Sequence, residues 1–153
     1  MNIGGCSEKK PILIFRLGNN PFAIDLSKVE RVLPAMTIQP LSQASERFCG
    51  WVDVGGTARP VVDLRKQFGF PTRGLELSDR FLLVEVNNRP LALLVEAVEQ
   101  IEVIEVEEMP PSGSVPLGAS QVQGVIHDGF IYINDLESCL SLKETELDQV
   151  VVT

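Results

Sequence analysis

The chain carries the same sequence pattern twice. Residues 12–32 align without a gap on residues 81–101 at a constant offset of 69 positions. Six aligned positions are identical: Leu13/Leu82, Asn19/Asn88, Pro21/Pro90, Ala23/Ala92, Val29/Val98 and Glu30/Glu99. Residues 50–64 and 124–136 form a second, weaker pair of similar segments. Duplication at this spacing predicts two copies of one structural unit, related by a pseudo-twofold axis, with a seam where partners can bind.

Alternation of apolar and polar residues predicts β-strands in the aligned region. In each repeat, two strands flank an Asn-rich turn with proline, which is the composition of a β-hairpin turn. A third strand follows each hairpin. The predicted hairpins span residues 12–26 and 81–95, and the third strands span 29–33 and 98–106.

A second hairpin is predicted later in each repeat. In the first repeat it spans 49–62 around Gly55 and Gly56, a pair that adopts positive φ at little cost. In the second repeat His127 to Phe130 takes the same part. A short helix follows each hairpin, at 63–68 with Asp63 as N-cap and Gly69 after its end, and at 134–140.

Each repeat therefore contains about five short strands and one small helix, a size at which a sheet closes on itself to remove its edges. We predict an all-β fold of two pseudo-symmetric five-stranded β-barrels. A single domain is expected over residues 11–142, made of subdomains at about 11–70 and 80–142. Residues 1–10 and 143–153 are expected to be flexible termini.

Charge differs strongly between the two halves. Residues 1–74 hold ten Lys or Arg and six Asp or Glu, a net of +4, whereas residues 75–153 hold three and fifteen, a net of −12. Six glutamates lie within residues 96–108 without any Lys or Arg, so this segment should repel a nucleic-acid backbone. A solvated polar face would explain them. The alternative is an acidic edge that orients a basic partner and prevents strands from self-associating.

The sequence offers no recognisable catalytic chemistry. His127 is the only histidine, and no nucleophile-elbow, phosphate-loop, dinucleotide or zinc-protease motif occurs. The three cysteines match no zinc or disulfide spacing, and Cys49 and Cys139 are expected to pack as small hydrophobic residues. No secretory signal or run of about 18 apolar residues is present. We therefore expect no catalytic residue, metal or cofactor, a reducing cytoplasmic compartment and no direct membrane insertion.

Four segments in order carry a family resemblance: 12–32, 50–65, 90–101 and 124–136. Together they resemble the CheW family of bacterial chemotaxis coupling proteins, and the Pro-Val-Val-Asp-Leu-Arg run at 60–65 is the strongest part. The resemblance implies SH3-like barrels and a cytoplasmic adaptor without catalysis, located at receptor arrays under the inner membrane. Its implied partners are the regulatory domain of a CheA-type histidine kinase and the tip of a methyl-accepting chemoreceptor.

The resemblance also implies a binding groove between the barrels. The matching receptor- or kinase-binding positions here are Val29, Val32, Gly50, Val52 and Val54, together with the turn residues Gly55 and Gly56.

This chain departs from the family pattern at two positions. Gly55 stands where the family usually has an arginine, and Glu96 stands where an aspartate usually follows valine. Glycine cannot replace the forked donor of an arginine, so we expect a divergent family member.

Two other function classes stay open at this point. One is a small-molecule-binding or regulatory β-barrel module in a non-flagellar signalling system, which would need a pocket with converging polar groups. The other is an enzyme or a nucleic-acid-binding barrel, which the missing motifs and the acidic second half disfavour. The adaptor hypothesis explains more of the sequence than either.

Overall fold

The computed structural model describes residues 8–18, 20–41, 48–106, 114–116, 123–127 and 130–133. Within these ranges nearly all regular structure is β-strand, so the all-β prediction is confirmed. β1 begins at Glu8, three residues before the expected start of the domain. The strands are β1 (Glu8–Leu17), β2 (Asn20–Asp25), β3 (Val29–Pro34), β4 (Gly50–Val54), β5 (Thr57–Asp63), β6 (Arg80–Val86), β7 (Arg89–Val95), β8 (Ala97–Val106), β9 (Ser114–Pro116), β10 (Gln123–His127) and β11 (Phe130–Ile133). A 3-10 turn covers Leu26–Lys28, and the helix α1 covers Leu64–Gln67.

The predicted hairpins form where turn chemistry favours them. β6 and β7 are joined by Asn87 and Asn88, both at positive φ (53° and 63°). Gly55 and Gly56 join β4 and β5 with φ of 60° and 89°. Positive φ at both turn residues produces the twist that two-residue hairpins need. The helix prediction at 63–68 is also confirmed, because Asp63 accepts a hydrogen bond from the Arg65 backbone N–H at the start of α1. The predicted helix at 134–140 lies outside the described residues.

The strands form two sheets, and each sheet combines strands from both halves of the sequence. The six-stranded sheet has the order β8-β1-β2-β11-β10-β9, and the five-stranded sheet has the order β3-β6-β7-β5-β4. The first hairpin of each half therefore lies among the later strands of the other half. This arrangement corrects the expectation of one subdomain per sequence half, at about 11–70 and 80–142. One sheet also has six strands rather than five.

The hairpins are exchanged because their strands need neighbours on both sides. β7 pairs in parallel with β5 on its outer side, and β2 pairs in parallel with β11 in the equivalent way. Residues 91–95 of β7 are buried without interruption, as are residues 12–15 of β1. A strand that is apolar on both faces belongs inside a covered sheet.

One hydrophobic cluster joins the two sheets. It combines residues of the first hairpin with residues of the second: Leu13, Phe15, Leu17, Phe22, Ile24, Phe48, Val62, Leu64, Phe68, Leu82, Val84, Val86, Leu91, Leu93, Val95 and Ile133. Phe22 lies at its aromatic centre, with ring centroids 5.9 Å from Phe15 and 5.5 Å from Phe68. We call this cluster the shared core. Because it draws on both sheets, they bury their inner faces as one unit.

A second cluster fills the inside of the five-stranded sheet. Val52 of β4, Val61 of β5 and Phe81 of β6 belong to it, and Leu33 of β3 packs against it. β3 and β4 are the two end strands of this sheet. Since both end strands pack on the same cluster, the sheet curls around it as an SH3-like barrel does. We call this cluster the barrel core.

A bulge occurs at the same place in both repeats. Glu30 is the extra residue where β3 pairs with β6, and Glu99 is the extra residue where β8 pairs with β1. A bulge leaves one residue without a cross-strand partner and redirects its side chain. Each glutamate meets an arginine: Glu30 contacts Arg59 at 3.0 Å and Glu99 contacts Arg16 at 2.6 Å. Both repeats therefore have glutamate at this position because the bulged residue pairs with an arginine.

Candidate functional site

The site residues expected from the resemblance all lie in the five-stranded sheet, but they face different surroundings. Val29 and Val32 are on β3, where both are half-buried and pack against the edge of the shared core. Val52 is buried in the barrel core, and Val54 packs against that cluster from the end of β4. The two pairs of valines therefore pack against different clusters.

Gly50 is required by close packing. A Cβ built at this position would lie 2.3 Å from the Gln39 carbonyl oxygen and 2.3 Å from Ile38 Cγ2. The approach is close because Gln39 exchanges backbone hydrogen bonds with Trp51, at 2.8 and 2.9 Å. This bridge is the first-half counterpart of the β9–β10 pairing. Gly50 thus allows the 35–41 segment to lie against β4.

Gly55 and Gly56 are the two expected site residues that are exposed and have open space around them. A Cβ at either position would meet no atom within 4 Å. The turn is closed by a hydrogen bond from the Gly56 N–H to Asp53 Oδ1 at 3.0 Å. Positive φ at both positions gives glycine a backbone role in this turn.

Replacing Gly55 with arginine is expected to lower the free energy of unfolding by about 1 kcal/mol, because a non-glycine residue is strained at φ of 60°. Gly55→Asn should cost less, since asparagine tolerates this region, as Asn87 does in the β6–β7 turn. Urea denaturation of both variants tests this order. Equal stability of Gly55→Arg and the unaltered protein would contradict it.

A buried arginine was missed by the sequence analysis. Arg59 on β5 points into the barrel and is mostly buried. Its Nη1 donates to the Val84 and Leu91 carbonyl oxygens at 3.3 and 3.2 Å, and its Nη2 donates to Glu30. Arg59 precedes the inward-facing Val61 by two residues, so the period of the strand already placed it on the inner face.

A second charged network holds the connection between the repeats. Arg65 of α1, 1% exposed, donates from Nε and Nη2 to the two carboxylate oxygens of Asp63, both at 3.1 Å. Its Nη2 also donates to the Arg73 carbonyl oxygen, and its Nη1 lies 4.0 Å from Glu96 Oε2. Arg73 in turn forms a two-bond pair with Asp79, at 2.9 and 3.0 Å, and approaches Glu96 at 3.5 Å. We call these five residues the arginine clasp.

Glu96 joins the two arginines of the clasp. Its side chain lies between the guanidinium groups of Arg65 and Arg73. Its backbone N–H donates to the Arg16 carbonyl oxygen at 3.0 Å, which fixes the start of β8. The clasp therefore connects α1, the 71–79 connector and the β7–β8 junction. The sequence analysis singled out Glu96 but could not identify the residues that it contacts.

The protonation of Asp79 is set by the clasp. Burial alone would raise the pKa of this carboxyl, but the hydrogen bonds from Arg73 and from the Glu76 backbone N–H outweigh burial and lower the pKa below its usual value. The pKa of Arg73 is correspondingly raised, chiefly by its hydrogen bonds to Asp79. Both groups are charged near neutral pH.

Asp79→Asn is expected to lower the free energy of unfolding by about 2–3 kcal/mol at neutral pH, because it leaves the partly buried Arg73 without its carboxylate. A depressed carboxyl pKa stabilises the fold above the unfolded value of about 3.9, and this contribution is lost as the pH falls through the lower folded value. Urea titrations between pH 3 and 7 should therefore show the difference shrinking below about pH 4. Glu76→Gln, at an exposed partner of Arg73, is the control and should change stability by under about 0.5 kcal/mol.

The cysteine prediction is wrong for Cys49, which is exposed rather than packed. Cys49 lies just before β4, and its thiol donates to the Val61 carbonyl oxygen at 3.6 Å. Partial loss of water around the sulfur and the nearby negative charge of Asp63 raise the pKa of the thiol to about 11. The thiol is therefore protonated at neutral pH and is a weak nucleophile. Cys139 lies outside the described residues.

Among the residues with described positions, no group of three or more His, Cys, Asp and Glu side chains is arranged to hold a metal ion. The same part of the chain includes no helix that is both long enough and apolar enough to span a membrane.

Comparison with known proteins places this geometry in a family. A family model for the CheW-like domain matches residues 11–144. The chain is 22% identical over 147 residues to the chemotaxis protein CheW of Treponema pallidum, covering 91% of this chain and 86% of that protein. It is 23% identical over 141 residues to CheW of Rhizobium meliloti, covering 92% and 86%.

A solved structure shares the fold. The crystal structure of the scaffolding protein TtCheW from Thermoanaerobacter tengcongensis matches with a TM-score of 0.68 and 27% sequence identity, covering 83% of this chain and 88% of that one. The resemblance inferred from the sequence is confirmed.

Proposed function

Because the chain belongs to the CheW-like domain family, we propose that it is a non-enzymatic adaptor that couples chemoreceptors to a CheA-type histidine kinase. The observation that carries this proposal is the match of the paired-sheet fold to a scaffolding protein over 83% of the chain. The proposed partners are the regulatory domain of the kinase and the tip of a methyl-accepting chemoreceptor. The proposed location is the cytoplasm, at receptor arrays under the inner membrane.

The interior of the described barrel supports an adaptor rather than a small-molecule sensor. Val52, Phe81 and Leu94 are buried in the barrel core, and the buried Arg59 donates to Glu30 at 3.0 Å. A ligand-binding barrel needs an open cavity lined by a few converging polar groups. Here Nη1 of Arg59 is already hydrogen-bonded to the backbone of β6 and β7, while its Nε is buried without a hydrogen-bond partner. The outer surface is therefore the better candidate for function.

We assign receptor contact to Val29, Val32 and the turn of Gly55 and Gly56. The two valines lie on β3, an end strand of the five-stranded sheet, and their half-buried side chains leave apolar surface accessible. The turn is exposed. We assign Gly50, Val52 and Val54 the indirect role of shaping β4, because close packing and burial account for them.

Binding of the two partners can be measured separately. Calorimetric titration with the isolated regulatory domain of the cognate kinase is expected to give saturable heat with a dissociation constant well below ~1 mM, which corresponds to about −4 kcal/mol. A purified cytoplasmic fragment of the cognate receptor is expected to bind as well. Absence of both interactions up to about 1 mM would overturn the adaptor function.

The receptor site has a matched control within the repeat. Val32→Thr keeps the side-chain shape but removes apolar surface, and it is expected to weaken receptor binding about fourfold, the equivalent of one buried methyl group. Ile101→Thr, at the aligned position of the second repeat, should leave receptor binding unchanged. Thermal unfolding checks that both variants fold. Equal loss of receptor binding in the two variants, or no loss in Val32→Thr, would contradict the proposed receptor site. The kinase titration would still test the adaptor function.

A further inference from the structure

β8 is the terminal strand of the six-stranded sheet. Among the described residues it pairs along its whole length with β1 and with no other strand. An end strand presents a row of backbone N–H and C=O groups on its outer side, which can pair with an added strand. At ten residues, β8 offers an edge long enough for a segment of ordinary strand length.

Two large apolar side chains lie exposed on this strand. Ile101 is 57% exposed and Val103 is 65% exposed. The register sets Ile101 opposite Leu13 and Val103 opposite Pro11. Residues directly opposite on antiparallel strands lie on the same face, and Leu13 belongs to the shared core. The two side chains therefore continue the apolar face of the sheet outward, beyond the area that the five-stranded sheet covers.

The equivalent strand of the first repeat is protected in two ways. β3 is also an end strand, but it has six residues and ends at Pro34. At the repeat offset Pro34 corresponds to Val103, and proline on an end strand prevents further pairing. Val32, which corresponds to Ile101, is half-buried against the shared core. The repeat thus shows what a protected edge looks like in this fold, and β8 lacks that protection.

Charge identifies the kind of strand that fits. β8 contains three glutamates at positions 99, 102 and 105 and no Lys or Arg. Glu99 is paired with Arg16, and the register sets Lys9 of β1 opposite Glu105. Glu102 is exposed and lies opposite the apolar Ile12. Alternation along the strand directs Glu102 to the face opposite Ile101 and Val103.

A second copy of the chain is a poor match for this edge. Antiparallel pairing of two β8 strands centred on Glu102 would bring Ile101 opposite Val103, which is favourable. The same register would bring Glu102 opposite Glu102 and Glu99 opposite Glu105. Like charges directly opposite each other are destabilising. A strand with basic residues on one face and apolar residues on the other avoids this repulsion.

We propose that the outer edge of β8 is a docking site for an extended protein segment whose side chains alternate between apolar and basic. Backbone pairing supplies the attachment, Ile101 and Val103 contact the apolar face of the segment, and Glu102 contacts its basic face. The site is independent of the receptor contact assigned to β3, because the two strands end different sheets.

A synthetic probe tests the site. We would titrate a fluorescein-labelled peptide of alternating valine and lysine, eight residues long, and follow anisotropy together with backbone amide shifts of the full-length protein. Saturable binding is expected, with the largest shifts at residues 99–105. The matching peptide of alternating valine and glutamate should not bind. A valine–lysine peptide methylated at alternate backbone nitrogens should lose binding, because it cannot complete the strand pairing.

Three variants distinguish binding at the proposed site from non-specific peptide binding. Val103→Lys and Glu102→Lys should each weaken binding about tenfold, a change equivalent to about 1.4 kcal/mol. Leu77→Lys is the control, since Leu77 is 99% exposed but lies in the 71–79 connector away from any strand. It should bind the peptide as the unaltered protein does.

Equal loss in the Leu77 variant, the largest shifts lying outside β8, or full binding of the methylated peptide would each overturn the proposal. A sedimentation experiment gives the remaining outcome. A dimer that disappears in Val103→Lys would show that a second copy occupies the edge, and the proposed basic segment would be wrong. Receptor and kinase titrations of the same variants keep this result distinct from the adaptor function.

Discussion

Cutting the chain between Pro71 and Thr72 is expected to give two fragments, neither of which folds as a monomer. The reason is the exchange of hairpins between the sheets. A fragment of residues 1–71 contains β1 and β2 without β8 and β11, and it contains β3 and β5 without β6 and β7. Its first hairpin therefore lacks both flanking strands, and its five-stranded sheet lacks the two central strands. The fragment of residues 72–153 has the reciprocal defect.

Mixing the two fragments should restore the fold as a one-to-one complex. Circular dichroism and size-exclusion chromatography would show gain of β-structure and a particle of the size of the intact chain. The cut leaves Arg73 and Asp79 together in one fragment, so their pair is retained. Cooperative unfolding of either fragment alone as a monomer would contradict the exchanged topology, because contiguous halves with sheets of their own could fold separately.

Phe22→Ala is expected to lower the free energy of unfolding by about 3–5 kcal/mol, the usual range for removing a buried phenylalanine. Phe22 is fully buried, stacks on Phe15 and Phe68, and meets the edge of Phe70 at 5.9 Å. Its partners are Phe15 of β1, Phe68 directly after α1, and Phe70 just before the 71–79 connector. The substitution therefore opens a cavity where these segments converge.

Urea denaturation would measure this loss, and Leu77→Ala supplies the control. Both changes remove a large apolar side chain, but Leu77 is almost wholly exposed and its removal should cost under about 0.5 kcal/mol. Since domains of this kind are stable by about 5–15 kcal/mol in total, Phe22→Ala should also produce a large fall in the melting temperature. A loss below about 1 kcal/mol would show that Phe22 is not at the centre of the shared core.

Local features of the fold could be predicted from the sequence. The Gly55–Gly56 turn, the Asn87–Asn88 turn and the Asp63 cap each depend on residues that are adjacent in the chain, and their chemistry permits few alternatives. The exchange of hairpins could not be predicted. A strand has the same apolar face whether it pairs with strands of its own half or with strands of the other half. The alternation of side chains therefore does not distinguish the two pairings.

The candidate site was harder to predict because β3 and β4 have apolar residues on both faces. Val32 faces the shared core and its neighbour Leu33 faces the barrel core. Periodicity can assign neighbouring residues to opposite faces, but it cannot say which face is covered by another sheet. The arginine clasp was missed for a different reason, because Arg65, Arg73 and Glu96 meet only after three separate segments are folded together.

The exchanged hairpins also bear on how such a chain could arise. A polypeptide with one copy of the unit could complete its sheet only by placing its hairpin in a second molecule, which would make it an obligate dimer with two identical faces. Joining the copies through residues 71–79 turns that dimer into a monomer and releases each face to change alone. Pro34 against Val103, and a net charge of +4 against −12, record this divergence. A fused chain can therefore present two different surfaces where a dimer of single copies presents two identical ones, and the proposed adaptor function would use one surface for each partner.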